Sequence, residues 1–238
     1  MKKLVLLLLS FNLNAAVVVI DPGHGGEERG AISKIDHSIE KNLVLRMAYE
    51  IKKKLIGKHQ VYLTRSYDKS LTLDERSKLA QKLGADIFVS VHANSSSSHK
   101  SQGFETFYLS NSNDEAVKKV VRLENSVAKN KKNEPQNNDI LDLILAELVV
   151  GKTVPRSKKL AEHIHSGLSK SLTKKYKMRD RGIKPGLFYV LAMSKVPGVL
   201  LEMGFMSNKK DLKLMKTKKF IESYATEVAH GIDQYFKK

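Results

Sequence analysis

The chain has 238 residues, a formal charge of +17 and no cysteine, enough for one domain with a substantial core and an insertion. Without cysteine there are no disulfides and no thiolate ligands, so any metal site must be built from His and carboxylate. Such a basic surface attracts polyanions, among them nucleic acid, anionic lipid and acidic cell-envelope polymers, and charge alone does not choose between them.

Met1-Lys2-Lys3 followed by Leu4 to Leu9 gives a positive start and a short apolar run, and Leu13-Asn14-Ala15 is an imperfect cleavage signal. Residues 1–15 are expected to be a secretory signal peptide, with a buried N-terminal strand as the alternative. No other run approaches the roughly 20 apolar residues of a membrane span. Export would place the protein on the periplasmic or cell-wall side, where nucleic acid is rarely met.

Val17 to Ile20 is a β-branched run ending at Asp21-Pro22-Gly23, a strand followed by a loop. From Ile39 to Leu55 apolar residues recur at helical spacing (Leu43, Met47, Ile51, Leu55). Val61 to Thr64 reads as a strand, Leu73 to Leu83 as a helix, and Ile87 to Val91 and Phe104 to Leu109 as strands. Arg156 to Leu172 is helical, Leu187 to Leu191 and Val199 to Leu201 are strand candidates, and Asp211 to Phe236 ends in an amphipathic helix. Strands alternating with helices, several apolar on both faces, predict a three-layer α/β/α domain with a largely parallel sheet. The exception is an insert at about 111–155, rich in Lys, Asn and Glu. Lys129 to Pro135 reads as a flexible segment within it, and 139–150 as an apolar helix.

Four polar groups stand where elements meet loops. His24 follows the first strand in Asp21-Pro22-Gly23-His24-Gly25-Gly26, His92 follows the third in Ser90-Val91-His92-Ala93-Asn94, Glu202 closes Leu200-Leu201-Glu202, and Glu40 opens the first long helix. The carboxyl ends of parallel strands share one edge, where ligands bind, so His24, His92 and Glu202 converge on this reading. Two imidazoles and a carboxylate satisfy three positions of a tetrahedral zinc and leave the fourth open. A second carboxylate can then move the proton of a hydrolytic water. Taken singly, each histidine reads equally as a structural or exposed side chain, Glu40 as a helix N-terminal charge, and Glu202 as a salt-bridged surface group.

Taken together, the segments resemble a known family. Val18-Val19-Ile20-Asp21-Pro22-Gly23-His24-Gly25-Gly26 is similar to the opening motif of the zinc-dependent N-acetylmuramoyl-L-alanine amidases of the Amidase_3 family. Glu40 to Leu45 resembles the second ligand motif, and Thr64-Arg65 with Leu73-Asp74-Glu75-Arg76 the next signature. Ser90 to Asn94 resembles the third ligand motif, and Val196 to Asn208 the catalytic segment. The resemblance implies His24, Glu40 and His92 as zinc ligands and Glu202 as catalytic glutamate, on a twisted, mixed, mostly parallel six-stranded sheet spanning 16–238. It implies cleavage of the amide between N-acetylmuramic acid and L-alanine, in cell-wall remodelling and daughter-cell separation.

The motifs depart mildly from the family pattern. Asp36-His37-Ser38-Ile39 replaces a glycine-containing approach to Glu40, with His37 a minor candidate surrogate ligand, and Met203 stands where a smaller residue is usual. In division-associated members an insert helix covers the site until a protein activator removes it. By that resemblance Asp139, Asp142 or Glu147 is expected to take the open zinc position, and an ordinary solvated face is the alternative. A monomer is expected. Competing readings are a zinc peptidase acting on stem peptides, a cell-wall binding protein without activity, and, on charge alone, a nucleic-acid binder.

Overall fold

The structure is a computed structural model and describes residues 15–110, 112, 114–126 and 138–237. The element order is β1 (Val17–Pro22), α1 (Glu40–Leu55), β2 (Gln60–Leu63), α2 (Leu73–Lys82), β3 (Ile87–Asn94), β4 (Phe104–Leu109), α3 (Glu115–Asn125), α4 (Asn138–Tyr176), β5 (Asp180–Gly186), α5 (Tyr189–Ser194), β6 (Gly198–Phe205), α6 (Lys209–Met215) and α7 (Lys218–Phe236). The six strands form one sheet in the order β2-β1-β3-β6-β4-β5. Every neighbouring pair is parallel except β4 against β6, so the expected mixed, mostly parallel sheet is present.

Side chains alternate across the strands, and this builds two cores. Val18 and Ile20 of β1, Val89 and Val91 of β3, and Leu201 of β6 face α1, α4 and α7. Val19, Phe88, Phe107 and Leu200 face the opposite way, against α2, α3 and α5. Burial on both faces explains why β3 reads as a nearly continuous apolar run, since each such Val, Ile or Phe contributes about 1.5–3 kcal/mol on leaving water. Gly231 lets α7 close on α4: a Cβ there would lie 2.4 Å from the Ile164 Cα.

Two strand readings change. Leu187 to Leu191 is not a strand; its apolar residues enter α5, where Val190 and Leu191 are buried. A short apolar run does not separate strand from helix by periodicity. The sixth strand is instead β5, Asp-Arg-Gly-Ile-Lys-Pro-Gly, pairing only with β4 at the sheet edge. An edge strand needs few donors and tolerates Pro185 and two glycines, which mask it in the sequence. Helix 156–172 extends to both sides as α4 and takes in the expected helix at 139–150. The insert also holds α3, which the sequence reading passed over. The expected signal peptide and Lys129 to Pro135 lie outside the described residues.

Candidate metal centre

The first strand delivers His24 into a turn that L-residues seldom adopt. His24 itself has φ 59°, followed by Gly25 at 134° and Gly26 at 60°. A left-handed histidine is strained unless its surroundings hold it, and two buried arginines supply the hold. Arg65 donates from Nε to the Pro22 carbonyl (3.0 Å) and from Nη2 to the Gly23 carbonyl (2.7 Å). Arg76 donates from Nη1 to the Pro22 carbonyl (2.9 Å) and from Nη2 to the His24 carbonyl (2.7 Å). Arg76 Nη1 also meets Asp21 Oδ1 at 2.7 Å, with Thr64 and Ser90 donating to the same carboxylate. Burial opposes the charge on Asp21, but Arg76 and these hydrogen bonds hold its carboxyl below the usual range. The Thr64-Arg65 and Leu73–Arg76 signatures thereby gain a physical role. Thr72 and Glu75 close a capping box on α2, and α2 presents Arg76 beneath the histidine turn.

Four donor atoms meet above that turn. His24 Nε2 and His92 Nδ1 are 3.1 Å apart. Glu40 Oε1 lies 2.9 Å from the first and 3.3 Å from the second. Glu124 Oε2 lies 3.8 Å and 3.0 Å from the same two atoms. Ligands about 2.0–2.1 Å from a tetrahedral zinc stand roughly 3.3 Å from one another, and these separations bracket that value. His24, His92 and Glu124 satisfy the spacing of a metal-holding group. Glu28 bonds the far nitrogen of His24, the carboxylate–imidazole arrangement that orients metal-bound histidines. The second oxygen of Glu40 accepts from the Ala31 N–H (2.8 Å), and the first also accepts from the Ala93 N–H (2.9 Å).

The electrostatics point the same way. Burial disfavours a charged His24, yet the carboxylates of Glu40 and Glu28 outweigh it and push the imidazole up to about 10. Burial is likewise overcome at His92, where Glu124 and Glu40 raise it to about 10. Burial resists ionisation of Glu40, but the two imidazoles hold it well below the usual carboxylate range. This is a buried pocket of negative charge that calls for a cation, and its nitrogen and oxygen donors fit zinc.

Glu202 stands beside the cluster. Its Cα pairs with His92 on β3 and with Glu105 on β4, so the three residues form one row across the sheet. The side chain is fully buried, and neither carboxylate oxygen has a hydrogen-bond partner. Burial first, then the charges of Glu124, Glu40 and Glu105, holds its carboxyl well above the ordinary value. A buried carboxyl left unbonded is costly, and at a cation site it is the signature of a group reserved for chemistry.

The structure thus brings together His24, Glu40, His92 and Glu202. His37 is exposed in the turn from Ser33 to Ser38, away from the donor set. Asp139, Asp142 and Glu147 lie on α4, but their side chains are outside the described residues. Glu124 is the carboxylate that reasoning from the sequence missed. The signal was present: Val117, Val120, Val121 and Glu124 follow helical spacing, and the three valines pack against the core. A strongly apolar segment further along the insert masked it. Asn125 fastens this helix end, donating to the Leu187 carbonyl (3.0 Å) and accepting from the Tyr189 N–H (3.0 Å).

Residues 18–234 match the family model Amidase_3, described as N-acetylmuramoyl-L-alanine amidase. The N-acetylmuramoyl-L-alanine amidase AmiA of Escherichia coli is 34% identical over 225 residues, covering 92% of this chain and 76% of that protein. AmiC of E. coli O6:H1 is 30% identical, with 92% of this chain matched to 52% of the relative. Among solved structures, an N-acetylmuramoyl-L-alanine amidase from Clostridium difficile superposes with a TM-score of 0.71 at 28% identity, covering 94% of this chain and 98% of the other. The catalytic domain of CwlV from Bacillus (Paenibacillus) polymyxa gives 0.63 at 32% identity, with coverage of 92% and 97%.

Proposed function

This chain belongs to the Amidase_3 family of N-acetylmuramoyl-L-alanine amidases, and from that premise we propose that His24, Glu40 and His92 hold a zinc ion and Glu202 moves the protons as peptidoglycan is hydrolysed. The observation that carries this reading is the fully buried Glu202 carboxyl, without a hydrogen bond, in register with a metal-binding histidine. Zinc held there supplies Lewis acidity toward the scissile carbonyl and lowers the pKa of a bound water. Glu202 takes the proton of the attacking water and delivers it to the departing L-alanine nitrogen. Glu28 keeps His24 in one orientation, and Arg65 and Arg76 keep its backbone in the left-handed turn.

Glu124 fits a gate. Its carboxylate stands against both histidines, where substrate has to come, and α3 lies over the donor set. In this reading α3 holds the enzyme at rest, and a protein activator that binds the insert draws it away, as in the helix-in-groove mode. Among the described residues no helix is long and apolar enough to cross a membrane. Export to the periplasm or cell-wall side, a monomeric state and a part in daughter-cell separation complete the proposal. Mass spectrometry of products from purified peptidoglycan, with and without a chelator, tests it. Free lactyl groups and new L-alanine N-termini are expected, abolished by chelation. New termini within the stem peptide would favour a zinc peptidase instead.

A further inference from the structure

The row that carries His92 and Glu202 continues to Glu105, and Glu105 gathers two cations from the edge strand. Its carboxylate is 2% exposed. Oε1 accepts from Asn94 Nδ2 at 3.1 Å, while Oε2 accepts from Lys184 Nζ at 2.6 Å and lies 3.2 Å from Arg181 Nε. Two cations on one carboxylate leave a net positive charge. Among the described contacts the single hydrogen bond of Lys184 Nζ goes to Glu105, and Arg181 also acts electrostatically on Asp211. Arg181 is in ion-pair range of Glu105 and stacks on the Phe205 ring at 5.0 Å. Both side chains keep partial exposure, 22% for Lys184 and 23% for Arg181. Lys184 lies over the Phe107 ring, on the sheet face that α3 covers and on which His92 and Glu202 stand.

Cations pinned in place by a buried acid beside a catalytic row are prepared for an anion. Pinning removes side-chain freedom before binding, and the remaining donors suit a carboxylate. Adjacent strands stand about 4.8 Å apart, so the row from His92 to Glu105 spans about 10 Å. An extended peptide rises about 3.3 Å per residue. Two residues from the scissile carbonyl span about 6.6 Å, and the carboxylate of the second extends roughly 2–3 Å further. With the scissile carbonyl at the metal donors, that carboxylate comes within hydrogen-bond reach of the Lys184 and Arg181 end of the row.

We propose that Lys184 and Arg181, held by Glu105, form the subsite for a free carboxylate on the stem-peptide residue that follows L-alanine, and so set the enzyme's stem-peptide preference. The proposal rests on the amidase reading above.

The test uses the full chain and two soluble muramyl peptides that differ only in this group, one with the free carboxylate and one with the carboxamide. The ratio of their kcat/KM values is read, so any occupation of the site by Glu124 divides out. The wild-type protein is expected to favour the carboxylate by about tenfold to a hundredfold. Lys184→Met together with Arg181→Met should bring the ratio near unity by raising KM for the carboxylate substrate alone. Equal use of both substrates by the wild-type protein would overturn the proposal without any variant, while leaving the amidase reading intact. So would a variant that loses activity on both substrates equally, the behaviour of a sheet-edge salt bridge and nothing more. Where the gate holds the wild-type rate too low to read, Glu124→Ala gives the same ratio; failure of both proteins to hydrolyse either substrate would take down the amidase reading and this proposal with it.

Discussion

Glu124 Oε2 lies 3.0 Å from His92 Nδ1, so a residue of the insert touches a side chain of the third core strand at the metal donors. On the proposed reading this contact makes α3 the gate. Glu124→Ala is expected to raise the hydrolysis rate on isolated cell walls by about tenfold to a hundredfold, the worth of one charge-assisted contact of roughly 1.5–3 kcal/mol. Zinc content should not change, because His24, Glu40 and His92 remain. An unaltered rate in the folded variant would remove the gate. Asn125→Ala, which frees the same helix end without touching the donors, should raise the rate in the same direction by less.

Glu202→Gln keeps the shape of the side chain and removes its capacity to accept a proton. The expected loss in kcat is about 10²–10⁴-fold, with zinc stoichiometry and melting temperature close to those of the wild-type protein. Retained hydrolysis by this variant would sink the assignment of Glu202 as the base.

Much of this site was legible before any coordinates, and the reason is positional. His24 follows β1, and His92 and Glu202 each follow the apolar run within β3 and β6; parallel strands share an edge, so chain order alone brings them together. Glu40 was legible only through the family resemblance, because a glutamate opening a helix is common. Its donor role depends on the long Ile32–Ile39 excursion, which folds back through the Ala31 and Glu40 backbone. Glu124 and β5 were not legible for opposite reasons. Glu124 sits on a helix whose apolar stripe is clear but narrow among charged residues, and the more continuously apolar segment at 139–150 draws the reading away from it. The charged, proline-containing β5 is permitted only by its place at the edge. Arg65 and Arg76 were visible as motif letters, but nothing in their spacing showed that both aim at the carbonyls of the histidine turn.

Gly30 tests how tightly the donors are packed. It adopts φ 66°, and a Cβ there would lie 2.6 Å from Glu40 Oε2 and 2.6 Å from the His24 ring. Gly30→Ala is therefore expected to push Glu40 and His24 apart and to lower zinc affinity by about 10–100-fold, the range found when a metal's supporting shell is disturbed. Competition with a chromogenic chelator measures this directly. Wild-type affinity in the variant would mean that the loop yields without moving the donors.

Asp21 ties acid stability to the histidine turn. It is buried against Arg76, and its carboxyl is held below the ordinary value of 3.8. A depressed carboxyl stabilises the fold fully above its unfolded pKa, and that stability is lost as pH falls through the folded value. The contribution should be complete at neutral pH and decline from about pH 4 downward. Asp21→Asn leaves Arg76 buried without its counter-charge and is expected to cost about 3–5 kcal/mol at pH 7. The gap between wild-type and variant should narrow as the wild-type Asp21 is protonated. Urea denaturation of both proteins between pH 7 and pH 3 reads the two curves. A gap that stays constant over that range would mean that the Asp21 charge does not hold the turn, and that its loss acts through packing alone.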